Sequence, residues 1–193
     1  MTSFRLLPGL PPYGQLARAF PAEWSKLGRE GMVVEFVRSD KQTWVGNFAP
    51  GIGSLSAVLP HPDGRQVLVF SGGNAWAIDT DAETGEQVLQ AVDAVWPVVR
   101  SDDLILSRQG IALVRLGPAG ILWHTHRLSW DGFDRVHVDS GRISGLAWDA
   151  INDRWLPFDV DVATGSSVGG SYGSEDTEGW ERLAPVRVPP NER

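Results

Sequence analysis

The chain has 193 residues, a formal net charge of -7 and no cysteine. This length suits one domain with a sizeable core, and the missing cysteines exclude disulfides, thiolate zinc sites and cysteine nucleophiles. The acidic balance argues against nucleic-acid binding, because affinity for phosphates comes from clustered Lys and Arg, and no apolar run approaches the roughly 18 residues that a membrane span needs.

The N-terminal unit is predicted to span residues 1–31 as an arm and a short helix. Residues 1–13 are rich in proline, which favours an extended arm, and they lack the apolar core of a secretory signal. We therefore expect a cytoplasmic location. Apolar side chains then recur at helical spacing, at Leu16, Phe20, Trp24 and Leu27. Pro21 indicates a break in that helix or the start of a second short helix, because proline lacks the backbone donor.

From residue 32 the chain alternates short β-branched or aromatic runs with turn signals. Runs such as "MVVEFVRS", "QVLVFS" and "ILWHTHRL" are separated by turns such as "PDG", "SGGN" and "GPAG". Short strands with turns at such close intervals are typical of an antiparallel meander. The sequence predicts an all-β domain over residues 32–170, followed by a C-terminal tail over residues 171–193 in which Trp180 docks back on the body.

One motif, D-x-D-x-x-T-G, occurs twice at an offset of 80 residues. The matching positions are Asp79 with Asp159, Asp81 with Asp161, Thr84 with Thr164 and Gly85 with Gly165. The two aspartates of each copy share one strand face, but a calcium site needs about six to eight oxygens, more than the loop supplies. We interpret both copies as turns, which Asp81 or Asp161 caps and in which Gly85 or Gly165 takes a positive φ.

The two copies lie in longer segments that resemble β-propeller blades of the quinoprotein-like or WD-like kind. These segments are "VLVFSGGNAWAIDTDAETGEQV" and "RISGLAWDAINDRWLPFDVDVATGSSV". The resemblance covers residues 60–170, and the unit between the copies keeps the strand rhythm but lacks the T-G turn. It implies a small propeller, an open stack of repeat-like sheets or a two-sheet sandwich. It implies no cofactor, because the family's quinone enzymes are much larger.

Three histidines form the candidate metal site. His124 and His126 are two residues apart, on one face of a predicted strand, and His137 is expected on the neighbouring strand. Such ligands, at about 2.1 Å from a metal, would suit zinc or iron and could activate water for hydrolysis. Because the sequence has no H-E-x-x-H framework, a metal-dependent hydrolase is only the alternative to the main functional prediction.

Tryptophan and aspartate in the predicted turns favour a non-catalytic module that binds a protein partner. The candidate contact residues are Trp130, Asp131, Asp149, Asp153 and Trp155. Exposed tryptophan beside acids suits an interaction hot spot, and the negative charge suits a basic partner, as for an immunity-type or regulatory protein. A homo-oligomer, in which exposed strand edges complete a propeller-like scaffold, is a further alternative. No catalytic residue and no cofactor is predicted.

Overall fold

The computed structural model describes residues 3–172, and its regular structure is almost entirely β. Sixteen strands form four sheets of four strands each. The predicted all-β fold class is confirmed, and helix in the described part is limited to one 3-10 helix, Ala22–Leu27. Among residues 3–172, no helix is long and apolar enough to cross a membrane.

The strands follow one another along the chain, one sheet at a time. The first sheet contains β1 Ser3–Leu7, β2 Arg18–Phe20, β3 Met32–Val37 and β4 Thr43–Phe48. The second contains β5 Ala57–Pro60, β6 Val67–Ser71, β7 Asn74–Asp79 and β8 Thr84–Leu89. The third contains β9 Val92–Pro97, β10 Leu104–Arg108, β11 Ala112–Gly117 and β12 Gly120–His124. The fourth contains β13 Phe133–Val138, β14 Arg142–Asp149, β15 Arg154–Asp161 and β16 Ser167–Gly169.

The last three sheets are antiparallel meanders, as predicted, whereas the first has the order β1-β3-β4-β2. In the first sheet β2 runs parallel to β4. The short helix expected after Pro21 is the 3-10 helix Ala22–Leu27. The rest of the N-terminal segment differs from the predicted arm and helix, because residues 3–7 and 18–20 are paired strands. Phe20 explains the difference, since its buried ring stacks on Phe48 at 4.8 Å between centroids. That packing overrides the helical spacing of the local sequence. The boundaries at residues 31 and 170 stay predictions, and the predicted docking of Trp180 lies outside the described residues.

Each sheet packs face to face on the next, and three core clusters fill the interfaces. Between the first and second sheets lie Phe36, Trp44, Phe48, Val69, Trp76 and Ile78. Between the second and third lie Leu68, Phe70, Ala77, Leu106, Val114 and Leu116. Between the third and fourth lie Ile105, Leu113, Ile143, Ala147, Phe158 and Val160. This sequential stacking of four-stranded sheets is the arrangement of propeller blades and excludes the two-sheet sandwich.

The position of a sheet in the stack explains its hydrophobic pattern. Strand β6, "VLVFS", is buried at every residue because sheets cover both of its faces. Strand β14 alternates, since Ile143 and Ala147 face the third sheet while Arg142 and Trp148 face away from it. No core cluster among residues 3–172 joins the first and fourth sheets. The described part of the chain is therefore an open stack.

Candidate functional site

One end of the stack carries the segments that join successive sheets, and we call it the linker end. Backbone hydrogen bonds tie these linkers to one hairpin turn of each neighbouring sheet. Val92 N donates to Gly73 O at 2.9 Å and Gly132 N to Gly110 O at 2.7 Å, and Trp130 N donates to Trp148 O near the end of β14 at 3.0 Å. Because every linker is bonded to a turn, loop residues at this end are held on a rigid support.

All five candidate contact residues lie at the linker end of the fourth sheet, and four of them are at least partly exposed. Trp130 is bonded to the backbone of Trp148, whose ring lies 5.1 Å from the ring of Trp155. Asp131 and Asp153 are exposed in the adjacent linker and turn. Residues from two separate segments of the sequence are thereby brought to the ends of β14 and β15.

The fifth candidate, Asp149, is buried and caps the β14–β15 hairpin. Its side chain is 6 % exposed and accepts hydrogen bonds from Asn152 Nδ2 at 2.8 Å and from the backbone N of Ile151 at 3.2 Å. The bond from the Asn152 side chain, followed by the one from Arg154, holds the pKa of Asp149 below its usual value. Asp149 therefore caps the hairpin from a buried position, and its role in partner contact stays a prediction.

A cation–π cluster that the sequence did not predict surrounds Trp130. The guanidinium carbon of Arg127 lies 5.2 Å from the Trp130 ring centroid and 4.3 Å from that of Tyr172. Arg127 also donates from Nε to Ser129 O and from Nη2 to Trp130 O, each at 3.0 Å. These contacts hold Trp130 half-buried in one orientation. Local spacing could not reveal the cluster, because Tyr172 belongs to a distant part of the sequence.

The fourth sheet presents one face that no described sheet covers, and we call it the outer face. The strand register places on it Asp134, Arg142, Ser144, Leu146, Trp148, Trp155, Pro157, Asp159 and Val168. The half near the linker end is apolar. In this half Trp155 is 42 % exposed, whereas the exposed Val168 pairs with Asp159 in the other half, which also carries Arg142. An aromatic patch with acidic turns at its rim has the composition of a protein interaction surface.

The second copy of the D-x-D-x-x-T-G motif is the predicted turn. Asp161 Oδ1 accepts hydrogen bonds from the backbone N and from Oγ1 of Thr164, both at 2.8 Å. Gly165 has φ of 75° and lies against the ring of Trp123. Asp161 therefore caps the turn and Gly165 takes the left-handed conformation, as the interpretation requires.

The first copy is also a turn, but different residues build it. Asp79 Oδ1 accepts from Asp81 N at 3.0 Å and from Ala82 N at 2.9 Å. The positive φ, 54°, falls on Glu83, and Gly85 lies within β8. The predicted roles of Asp81 and Gly85 are therefore wrong, because the second hairpin strand begins earlier in this copy than in the other.

Replacing Gly165 by alanine is expected to destabilise the protein by about 2–4 kcal/mol. The left-handed backbone costs a Cβ about 1–2 kcal/mol, and this Cβ would also meet Trp123 Cδ2 at 2.8 Å. Gly64→Ala is the matched control, since Gly64 has φ of 69° and no heavy atom within 4 Å of a Cβ. Urea denaturation should show a larger loss in the free energy of unfolding for Gly165→Ala than for Gly64→Ala. Equal losses in the two variants would contradict the close contact with Trp123.

Acidification is expected to destabilise the protein through its hairpin aspartates. The backbone N–H of Gly141 holds the pKa of Asp139 below 3.8, and the Thr164 hydroxyl does the same for Asp161. A lowered pKa in the folded state means that the unfolded chain binds more protons at acidic pH. The stabilisation is therefore complete above the unfolded-state pKa and is lost as pH falls through the folded-state pKa.

The expected result is a urea midpoint that is nearly constant from about pH 7 to 5 and declines below about pH 4. Below about pH 4, an Asp139→Asn variant should lose less of its urea midpoint than the wild type, whereas Asp102→Asn, at an exposed turn residue, should behave as the wild type. An equal acid loss in the Asp139→Asn variant would contradict this role for the carboxylate.

The candidate metal ligands do not come together as predicted. His124 ends β12 of the third sheet, His126 lies beyond that strand, and His137 is on β13 of the fourth sheet. The neighbouring-strand expectation is wrong because residues 125–132 are a linker between sheets rather than a hairpin turn. His126 lies 3.3 Å from Ser167 Oγ, and burial lowers its pKa. Within residues 3–172, no group of three or more His, Asp or Glu could hold a metal ion.

Comparisons with known proteins give no family for this chain. No family model matches it, and no curated protein matches it significantly. Among solved structures, it is similar to the N-terminal domain of Nup159 with a TM-score of 0.42 and 16 % identity. The match covers 76 % of this chain and 41 % of that chain, so this chain spans less than half of that domain's length. At such values the likeness adds nothing to what the four sheets themselves show.

Proposed function

We propose that the protein is a non-catalytic cytoplasmic module that binds a protein partner at the linker end and outer face of the fourth sheet. The observation that carries this proposal is the apolar half of the outer face, where Trp155 is exposed beside Trp148. The exposed Asp131 and Asp153 lie at its rim. Aromatic anchors surrounded by polar residues dominate the energetics of protein interfaces.

The rigidity of this surface supports the proposal. The Trp148 ring supports Trp155, the Asp149 hydrogen bonds fix the hairpin, and Arg127 holds Trp130. Side chains that are already ordered lose little conformational entropy on binding, which favours affinity.

The chemistry of the surface favours a partner with basic residues around an apolar pocket. Several aspartates of this acidic chain serve as caps inside hairpins, so the total charge of -7 overstates the charge available to a partner. Asp131 and Asp153 are exposed next to the apolar patch and would attract basic side chains. An immunity-type or regulatory protein, which blocks a basic partner by covering it, is the function that fits this surface best.

The proposal is tested by affinity capture from the source cells with wild-type, Trp155→Ala and Tyr13→Ala proteins. Tyr13 is the matched control, because it is an aromatic residue 91 % exposed in a loop next to the first sheet. One protein should co-purify stoichiometrically with the wild type and with Tyr13→Ala, and it should be lost with Trp155→Ala. Equal capture by all three proteins, or no stoichiometric companion, would contradict the proposal.

A second candidate function is favoured by the open stack. The first and fourth sheets are end sheets in the described part of the chain, so a second copy could cover them and complete a propeller-like scaffold. Light scattering over a hundredfold concentration range decides this point. A mass that rises to a defined multiple would support self-assembly, and a constant monomeric mass would contradict it.

A further inference from the structure

Each of the four sheets in the described chain has two edge strands, and all of these strands except one carry a feature that discourages further pairing. An edge strand leaves one row of backbone N–H and C=O groups without partners, and proteins limit its pairing with short strands, charged side chains or proline. Here β2 and β16 have three residues each. The other edges carry Arg5 in β1, Pro60 in β5, Glu86 in β8, Asp93 and Pro97 in β9, and Asp134 and Arg135 in β13.

The exception is β12, the last strand of the third sheet. Its sequence, "GILWH", has five residues and contains no Asp, Glu, Lys, Arg or Pro. Ile121 is 39 % exposed and Leu122 is 50 % exposed. Within residues 3–172 this strand pairs with β11 alone, so its other backbone edge is unpaired in the sheet. An exposed apolar edge of this kind is a template for an added strand.

Contacts with two neighbouring elements hold β12 in place. Trp123 Nε1 donates to Val162 O at 2.8 Å, and the Trp123 ring lies against Gly165, so the strand is fixed to the turn after β15. Directly after β12, Thr125 N donates to Leu113 O at 2.9 Å, and Leu113 N donates to Thr125 Oγ1 at 3.0 Å. Because the strand is already ordered, little conformational entropy is lost on its side when a partner pairs with it.

A bulge in β12 decides which kind of partner fits the edge. Arg115 is opposite Trp123 and Leu116 is opposite Ile121, so Leu122 has no partner on β11. A bulge bends the strand and increases its twist, and a second copy would bring the same rigid bend to the contact. Pairing of two five-residue strands would also bury much less than the roughly 800 Å² per partner of a stable interface. A flexible extended segment can follow the bend.

We propose that β12 binds an extended apolar segment of a partner protein, which becomes an added strand of the third sheet. Main-chain hydrogen bonds to the unpaired edge supply the affinity, and apolar side chains of the segment contact Ile121 and Leu122. The segment is apolar because β12 offers no charged side chain. This edge belongs to the third sheet, so the inference goes beyond the proposed function of the fourth sheet and does not rest on it.

The probe for this edge is the peptide Lys-Val-Thr-Val-Thr-Val-Lys, labelled with fluorescein and titrated with the full-length protein by fluorescence anisotropy. Its inner residues favour strands, and its lysines suit the net charge of -7. Leu122→Lys places a charge on the edge. Val99→Lys is the matched control, because Val99 is 48 % exposed in the β9–β10 turn of the same sheet. A second peptide with proline at each valine position lacks the backbone donors there.

We expect saturable binding of the first peptide to the wild type, at least about tenfold weaker binding to Leu122→Lys and unchanged binding to Val99→Lys. The proline peptide should not bind. Hydrogen exchange at the backbone N–H groups of residues 120–124 should slow when the first peptide is present. No saturable binding to the wild type, equal binding to the two variants or equal binding of the two peptides would overturn the proposal. Thermal unfolding checks that each variant is folded.

Light scattering on the wild type and Leu122→Lys tests the other occupant of the edge. A wild type that dimerises while Leu122→Lys stays monomeric would assign the edge to a second copy and overturn the proposal. The peptide is titrated without any partner of the fourth sheet, and Trp155→Ala should bind it as the wild type does. This proposal can therefore fail while the proposed function stands, and the reverse holds as well.

Discussion

Replacement of Phe158 by alanine is expected to lower the free energy of unfolding by about 3–5 kcal/mol. Phe158 is 1 % exposed and belongs to the cluster that joins the third and fourth sheets. Its ring lies 5.3 Å from that of Phe133, and it faces Gly145 across the strand pair. Gly145 has no side chain that could fill the space, so truncation would leave a cavity as well as lost burial.

Urea denaturation of wild type and variant at neutral pH measures this loss. Val99→Ala is the control, because Val99 is 48 % exposed in a turn of the third sheet and should change stability by no more than about 0.5 kcal/mol. A Phe158→Ala loss below about 1 kcal/mol would contradict the assignment of this face of the fourth sheet as core.

Replacement of Arg115 by methionine is expected to cost about 3–5 kcal/mol. Arg115 Nε donates to Asp103 Oδ2 at 2.8 Å, and Nη1 donates at 2.6 Å to Val162 O on the fourth sheet side of the interface. The Asp103 side chain is 10 % exposed. Methionine fills much of the same space but leaves a buried carboxylate without its cation, which is the costly half of breaking a buried pair.

A double variant separates the ion pair from the packing. Arg115→Met combined with Asp103→Leu removes both charges and should recover part of the loss, because an apolar pair of similar volume replaces the buried pair. Arg115→Lys should fall between wild type and Arg115→Met, since lysine keeps the charge but not the forked geometry. The role of Arg115 as a bridge between sheets is wrong if Arg115→Met unfolds at the wild-type urea midpoint.

The strands were predictable because each hydrophobic pattern reports the burial of that strand. The continuous run "VLVFS" is buried on both faces, and the alternation in "RISGLAWD" follows a sheet covered on one face only. The short helical segment is present after Pro21 as the 3-10 helix Ala22–Leu27. The part of the predicted helix before Pro21 is wrong, because Phe20 satisfies a helical spacing while its ring packs on Phe48 from another strand. Local periodicity carries no information about such a contact.

The assignment of connections to turns or to linkers was the second limit. The sequence predicts a strand over "ILWHTHRL" followed by a turn at residues 130–132, yet β12 ends at His124 and residues 125–132 carry the chain from the third sheet to the fourth. That difference separates His137 from His124 and removes the metal site. Composition does not distinguish this linker from a strand, since Thr125, Leu128 and Ser129 within it are buried.

The candidate surface was partly predictable. Tryptophan beside aspartate in turns identified Trp130, Asp131, Asp153 and Trp155, and the structure brings their two segments to one end of the fourth sheet. The burial of Asp149 could not be foreseen, because capping depends on where Asn152 and Arg154 point. The contact of Arg127 with Tyr172 joins distant parts of the sequence and has no local signal.

The central claim is that the fourth sheet binds a protein partner through Trp155. It is tested most directly by titration of the captured partner, once purified, with wild-type, Trp155→Ala and Tyr13→Ala proteins in a calorimeter. Loss of a hot-spot tryptophan costs at least about 2 kcal/mol, so Trp155→Ala should bind about thirtyfold more weakly, with Tyr13→Ala unchanged. A Trp155→Ala protein that is folded and binds with wild-type affinity would contradict the claim.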